Sequence, residues 1–449
     1  MEGSRDLENV EKELKPIRYQ SETYSKVTSV INRVNVASLW DAHEYQKRGK
    51  AVGIDGVDKE TYEEGLVEKL IELVNRMKLL KYIPKPVRRT YIPKANGKQR
   101  PLGIPSYEDK LVQYVMADVL NEIYEPRFLD CSFGFRPGRS AHDVVRFINQ
   151  AVGTKHVNYV LEADIKGFFD NLDQKWLVKF LEHDIADKTF IRYIVRFLKA
   201  GVMEGTELQE SDKGTPQGGL ISPVLANVYL HYVLDLWMTL KVKKMVIGEM
   251  YYVRYADDFI VLFQVEKEAR MVLELLKERL AKFCLQVAEG KTRILPIGRY
   301  KGTKENFDFL GFNFYNARTR KGNFRLGIRS CEKKLKAKRQ ELKQWLKTRL
   351  IMPVVDTLNA LNRKLVGHYN YYGVNGNWQA LKKFGWYAFC MTFKMLRRRG
   401  QKHPISQEKF GELWKTFVRP PFISQEMGWG AKFGPEGSSI IGSPSGNPE

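Results

Sequence analysis

A chain of 449 residues and 52.2 kDa is too long for one hydrophobic core, which excludes a small peptide module and predicts about two to four packed units. Hydrophobic residues at 43% and charged residues at 28% allow a sizeable core and exclude overall disorder. The 74 Lys/Arg against 52 Asp/Glu give a formal +22 and a pI near 9.6, the balance of a protein with a polyanionic partner, nucleic acid ahead of acidic proteins or membranes.

That charge is concentrated. Residues 315–421 hold 25 Lys/Arg and 5 Asp/Glu, which leaves only +2 for the rest of the chain. No apolar run approaches the roughly 18 residues that span a bilayer, and residues 1–15 are charged without an apolar signal core. Nothing here directs the chain to a membrane or out of the cell, so a cytoplasm is the expected location. Cys131, Cys284, Cys331 and Cys390 lie far apart without a CxxC pair, as reduced thiols do.

In chain order, residues 1–24 mix charges with few apolar positions and predict a frayed arm or an isolated helix. Val27, Val30, Ile31, Val34 and Leu39 predict a helix over 25–49, and Leu66, Leu70, Ile71, Val74, Met77 and Leu80 another over 61–80, stopped by Pro84 and Pro86. Strands at 88–92 and 99–104 flank Asn96-Gly97, a hairpin signal. A helix over 110–124 precedes a loop, Ser132-Phe133-Gly134-Phe135-Arg136-Pro137-Gly138-Arg139, that opens a further helix. Further strands are expected at 159–164, 250–255, 259–263 and 307–315, and an apolar helix at 224–236. Beyond Arg329 the pattern becomes helical, and residues 434–449 are rich in Gly, Pro and Ser, as disordered segments are.

The chemistry centres on Tyr255-Ala256-Asp257-Asp258-Phe259. Along a straight strand successive side chains point to opposite faces, so a tight turn between two apolar strands is what presents neighbouring carboxylates together. On its own such a pair is more often a solvated turn. The strand ending at Asp164 changes the balance, because Mg²⁺ prefers a few carboxylates plus substrate phosphate oxygens, and Asp164 beside Asp257 and Asp258 suits a two-ion phosphoryl-transfer site. Asp164 is equally suited to cap a helix beginning at Ile165, and spacing leaves Glu162 and Asp170 open as ligands. The loop Gly214-Thr215-Pro216-Gln217-Gly218-Gly219-Leu220-Ile221-Ser222-Pro223 lets backbone approach a base or sugar, with Gln217 as donor and acceptor.

Taken together, YADD, the Asp164 strand, the QGxxxSP loop and Phe309-Leu310-Gly311-Phe312 occur in the order and spacing of a reverse transcriptase palm. Residues 89–105 and 132–141 resemble its fingers. QGxxxSP and the stretch from Leu361 to Gly373 resemble the group II intron branch, the latter its thumb or maturase domain. No Cys/His constellation of an HNH endonuclease follows, so the resemblance is to the endonuclease-less bacterial type. It implies an α+β right-hand polymerase with a helical N-terminal extension and fingers, an antiparallel palm and a helical basic thumb. The corresponding divisions are a flexible arm (1–24), the N-terminal extension (25–60), fingers and palm (61–325), thumb (326–421) and a largely disordered tail (422–449).

The resemblance also implies roles. Asp164, Asp257 and Asp258 would be catalytic and hold two Mg²⁺ ions, Mn²⁺ being a substitute, with Ile165 adjoining both metal and dNTP. Lys94, Arg100 and Gln217 would bind the dNTP, and Phe168 would press on its sugar and exclude a 2′ hydroxyl. Arg136, Lys334, Lys338, Arg339, Lys343, Arg397, Arg398 and Arg399 would bind RNA or template. The implied partners are group II intron RNA, an RNA template with a DNA or RNA primer, target DNA and dNTPs. The implied function is RNA-directed DNA synthesis coupled to splicing and mobility of the intron. Two rivals differ from it: a domesticated relative acting in defence or repair, and a non-enzymatic splicing factor, which the intact aspartate set argues against.

Overall fold

The computed structural model describes residues 16–93, 99–205, 207–209, 214, 218–399 and 405–425. Lys94 and Gln217 lie outside the described residues. The first helix, α1 (Ile17–Thr23), falls in the expected flexible arm but is docked: Ile17 is buried and the Ser21 hydroxyl donates to the Ile123 carbonyl. The helix expected over 25–49 is broken. Val27 leaves to bridge Ile185, a 3₁₀ turn spans Val30–Arg33, and Asn35 caps α2 (Val36–Tyr45) in a reciprocal capping box with Ser38. The helix expected over 61–80 likewise divides into α3 (Lys59–Glu63) and α4 (Leu66–Lys78) at Gly65, whose φ of 66° is left-handed.

Then follow β1 (Val87–Pro93), β2 (Gln99–Ile104), α5 (Tyr107–Tyr124), α6 (Ala141–Thr154), β3 (Tyr159–Asp164), α7 (Phe168–Asn171), α8 (Gln174–Asp184), α9 (Lys188–Lys199), β4 (Val202–Glu204) and β5 (Glu207–Gln209). Next, α10 (Ser222–Leu230) runs on through π-helical turns at His231–Asp235 and Met238–Val242 into α11 (Lys243–Met245). The remaining elements are β6 (Met250–Tyr255), β7 (Asp258–Phe263), α12 (Glu266–Lys282), β8 (Arg293–Pro296), β9 (Asn306–Phe309), β10 (Phe312–Arg318), β11 (Phe324–Ser330), α13 (Glu332–Lys347), α14 (Val354–Tyr372), α15 (Trp378–Arg397) and α16 (Gln407–Phe417).

Three sheets result, in the orders β2-β1-β4-β5, β6-β7-β3-β8 and β11-β10-β9. The central β6-β7-β3-β8 sheet is antiparallel throughout and is covered on both faces. Leu161, Ala163, Phe259, Val261 and Phe263 pack into one core with the N-terminal helices, while Val160, Val253, Ile260 and Leu262 pack into a second with α6 and the C-terminal helices. Two-sided burial explains why this antiparallel strand reads as the unbroken apolar run Phe-Ile-Val-Leu-Phe. The single strand expected at 307–315 is in fact a hairpin, turned at Leu310 and Gly311, both with positive φ. At the far end, Phe422 packs edge-on against Tyr369 and Ser424 bonds to the Gly373 carbonyl, so residues 422–425 belong to the folded body and not to a disordered tail.

Candidate active site

Strand register brings the acidic residues together. Asp164 ends β3 directly opposite Asp258 on β7, and Tyr255 pairs with Asp258 across the β6–β7 hairpin, which leaves Ala256 and Asp257 as a two-residue turn. Ala256 holds φ at 56°, an unfavourable value for a residue with a Cβ, and the surroundings enforce it. Gly134 lies so close behind the turn that a Cβ there would come within 2.3 Å of the Ala256 nitrogen. Phe133 N–H donates to the Arg254 carbonyl at 2.9 Å.

Arg254 lies beneath the turn and is wholly buried. Its Nε and Nη2 donate to the two carboxylate oxygens of Asp235 at 2.8 and 2.6 Å, Nη1 donates to the Asn227 side chain and the Ala256 carbonyl at 2.8 and 2.9 Å, and Nη2 also reaches the Ser132 hydroxyl at 2.7 Å. Asn227 in turn donates to the Gly134 carbonyl at 2.8 Å. A buried arginine with every donor engaged is a rigid bracket, and here it holds the turn that carries Asp257. Sequence reasoning missed it, although an arginine inside an apolar strand was the available signal.

The carboxylates are crowded. Burial, then repulsion from Asp257 and Asp164, raises Asp258 to about 6 even though its side chain opens to the cleft, and burial raises Asp257 as well. Asp164 is paired with the Lys291 ammonium, which its neighbour's backbone brings in: Ala288 N–H donates to the Asp164 carbonyl at 2.7 Å. Among the described residues no three His, Cys, Asp or Glu side chains converge as a finished metal cage. The donor set nonetheless fits a hard divalent cation, since carboxylates that repel one another and recruit a lysine are what such an ion would bridge.

Around them lies a cleft of about 1100 Å³ whose lining includes Arg100, Asp258, Lys291, Lys334, Lys338 and Tyr371. Arg100 is near enough to favour the Asp257 carboxylate, as Lys334 favours that of Asp258. Residues not foreseen also line it: Asp308, which accepts from Asn313 and from the Cys331 thiol, and Arg363 and Lys364. His368 lines it too, its ring centroid 4.1 Å from that of Phe384 and tilted by 32°, with neither ring nitrogen partnered among the described residues, and burial drives its pKa down to about 3, so the imidazole is neutral.

Several expectations need correction. Phe168 is 2% exposed and packs against Phe169 and Tyr229, so it cannot press on a sugar; Phe169, its half-exposed neighbour on α7, is the ring that remains accessible. Arg136 is buried and spends its donors on Glu125 and the carbonyls of Leu129 and Ser132, which removes it from RNA contact. Arg399 is bound to the carbonyls of Met352 and Arg349, and Arg339 is half-buried between Glu332 and the Tyr387 ring. By contrast, Lys343, Arg397 and Arg398 are exposed outside the cleft lining and stay available to RNA, Arg397 lying over the Phe393 ring. Ile165 is buried, so its side chain adjoins neither metal nor dNTP. Asp164 caps no helix, because α7 starts at Phe168 after Gly167, and Glu162 is engaged by Arg293 at 2.8 Å. Asp170 is exposed on α7.

Comparison with known proteins agrees with this geometry. Residues 92–314 match the family described as reverse transcriptase (RNA-dependent DNA polymerase). The protein YkfC of Escherichia coli (strain K12) is 31% identical over 305 residues, covering 61% of this chain and 78% of that protein. The group II intron-encoded protein LtrA of Lactococcus lactis subsp. cremoris is 29% identical over 459 residues, covering 83% of this chain and 74% of LtrA. The chain belongs to the group II intron-encoded reverse transcriptases. The nuclear intron maturase 2 of Arabidopsis thaliana is also similar, 29% identical over 30% of this chain and 24% of the relative. A reverse transcriptase is an RNA-directed DNA polymerase, and the family works with divalent metal ions. No helix among the described residues of this reverse transcriptase is long and apolar enough to cross a membrane.

Proposed function

We propose that this reverse transcriptase binds a group II intron RNA, assists its splicing, and copies it into DNA during intron mobility by two-metal nucleotidyl transfer. The observation that carries the catalytic half is the register of Asp164 opposite Asp258 with Asp257 in the adjoining turn, beside a cleft whose lining, Asp258 and Asp308 apart, is rich in Lys and Arg. Asp164, Asp257 and Asp258, with the Ile165 carbonyl, would hold two Mg²⁺ ions, whose chemistry would be activation of the primer 3′ hydroxyl and neutralisation of the departing pyrophosphate. Arg100 on β2 offers a planar fork to the incoming triphosphate, and Gly218, within the glycine-rich loop, packs its backbone against the Gly103 carbonyl on the same strand. In this reading β1–β2 and the N-terminal helices act as fingers, the central sheet as palm and α13–α16 as a thumb. The template with its DNA or RNA primer lies between them, and target DNA is engaged during mobility.

The intron half rests on the group II relatives together with the basic C-terminal helices, whose exposed Lys334, Lys336, Lys343 and Lys347 stand on α13. The test of the catalytic half is primer extension by Asp164→Asn and Asp257→Asn on an RNA template with a DNA primer. Extension should be lost with the circular-dichroism spectrum and melting temperature kept, because a neutral amide is a far poorer ligand for a hard cation. Near-parental extension by either variant overturns the two-metal assignment.

A further inference from the structure

At the end of β10 away from the catalytic cleft lies a second cavity, of about 750 Å³, lined by Arg299, Lys301, Thr303, Asn316 and Arg318 among others, with no acidic side chain among the described lining residues. Gly311, one residue before β10, lines the catalytic cleft, and Arg318 ends the strand at the second cavity. From Gly311 to Arg318 the chain runs seven residues at about 3.3 Å each, roughly 23 Å, so the two cavities open at opposite ends of β10.

The cavity is framed. Asn316 clamps the 298–303 loop onto β10 from both sides, its amide donating to the Lys301 carbonyl at 2.7 Å and its oxygen accepting from Gly298 N–H at 3.0 Å. The β10–β11 hairpin tip, residues 316–325, carries Arg318, Arg320, Lys321 and Arg325 with no acid. Arg299 is anchored by one nitrogen to the Gly153 carbonyl at 2.8 Å, and Arg318 by one to the Gly322 carbonyl at 3.0 Å, so each fork is oriented with further donors to spare. Beside the cavity Tyr300, 58% exposed, lies parallel to His156, with ring centroids 5.8 Å apart and planes inclined by 7°. Of the nearby acids, Glu249 accepts from His156 and Tyr251 and Glu266 from Arg270, while Glu305, two residues after Thr303, is exposed and outside the cavity lining.

We propose that this cavity and its aromatic platform form a second RNA-binding site, in which Arg299, Lys301 and Arg318 hold backbone phosphates while an unpaired base stacks on Tyr300. Oriented guanidiniums beside an exposed flat ring match single-stranded or looped RNA, whose phosphates and base faces are accessible together. An acidic polypeptide would use the charge but not the platform. Because the cavity opens at the end of β10 away from the catalytic cleft, RNA held here would be a different stretch from the one being copied, so the site would tether a folded RNA while polymerisation proceeds. The inference goes beyond the polymerase reading and is tested separately from it.

The test compares two probes on the full-length protein: a short RNA-template/DNA-primer duplex, and the same duplex whose template continues into a folded RNA hairpin with an unpaired loop. For the variants Lys301→Gln/Arg318→Gln and Tyr300→Ala, extension of the short duplex should keep its parental kcat and KM. On the hairpin probe the double variant should bind about tenfold more weakly, with a slope of log affinity against log salt reduced by about 1.5. Tyr300→Ala should weaken binding to that probe without changing the slope, since stacking releases no counterions. Parental affinity and slope on the hairpin probe overturn the site. Equal loss on both probes also overturns it, because the cations would then serve the fold or the catalytic cleft. Competition by polyglutamate as effective as that by the RNA hairpin would replace RNA with an acidic protein.

Discussion

Arg254 turns an unfavourable backbone into a fixed one. The left-handed Ala256 is retained because the guanidinium binds its carbonyl while Asp235, Asn227 and Ser132 hold the guanidinium, so the position of Asp257 is set by a residue that touches neither substrate nor metal. Asp235 outweighs the desolvation of Arg254 and keeps its pKa raised, so the guanidinium is charged at any working pH. Arg254→Met alone would strand Asp235 as a buried charge and cost about 3–5 kcal/mol, which confounds structure with function. The informative variant is Arg254→Met combined with Asp235→Leu, where exchanging a buried ion pair for apolar side chains is close to neutral for stability. Its melting temperature should stay near the parent's while primer-extension kcat falls about 100-fold, as expected for carboxylates displaced by about 1 Å. A doubly substituted protein that extends primers at the parental rate would show that the network only supports the fold. The aspartates themselves were legible in the sequence, because a turn between apolar strands is a local pattern. The arginine's role was not, because Asp235, Asn227 and Ser132 reach it from distant parts of the chain.

At the scale of elements, α5 shows how a helix ties the N-terminal region to the fingers-like strands. Asp109, 3% exposed on α5, accepts from the Tyr82 hydroxyl and from Lys85 N–H at 3.0 Å, which fixes the proline-rich entry to β1. Burial raises its pKa to about 6 against an ordinary 3.8, the Tyr82 and Lys85 bonds only partly offsetting that effect. A carboxyl whose folded pKa is raised holds its proton more firmly in the native state, so its contribution is fully present below about pH 4 and is lost as pH rises through about 6. Relative to Asp109→Asn, the parent should therefore lose about 3 kcal/mol of stability between about pH 4 and pH 7, read from urea unfolding of both proteins. A difference between the two that does not change with pH would mean that Asp109 is ionised throughout. Element boundaries were the least legible part of the fold. Apolar periodicity carried through 25–49 and 61–80, but the breaks at Asn35 and Gly65 come from capping and a left-handed glycine, which periodicity does not register. The 307–315 hairpin was hidden for the same reason: Leu310 in a left-handed conformation is held by tertiary contact, Tyr371 donating to its carbonyl at 2.8 Å.

Across the whole molecule the charge divides by task. Lys334 and Lys338 turn from α13 into the catalytic cleft, whereas Lys336, Lys343 and Lys347 on the same helix are exposed and do not line it. Composition revealed the +20 of residues 315–421, but which cations face the cleft, which face solvent and which, like Arg399, are consumed by backbone carbonyls depends on helix packing. The cleft-facing lysines sit with Arg363 and Lys364 close to the aspartates, and their loss would damage chemistry and binding together. The exposed set separates the two. Replacing Lys336, Lys343 and Lys347 with Gln should leave single-nucleotide addition at low salt unchanged, because Asp164, Asp257, Asp258 and Arg100 are untouched. If those lysines grip RNA outside the cleft, the slope of log affinity against log salt for a long structured RNA should fall by about 2, three phosphate contacts at about 0.7 each. In extension reactions with a trap for dissociated protein, the variant should then give shorter products as salt is raised, with the parent's product lengths at low salt. Unchanged slopes and unchanged product lengths at every salt concentration would mean that this face of α13 is only solvated, and that the net charge of the chain acts through the cleft and the 298–325 region alone.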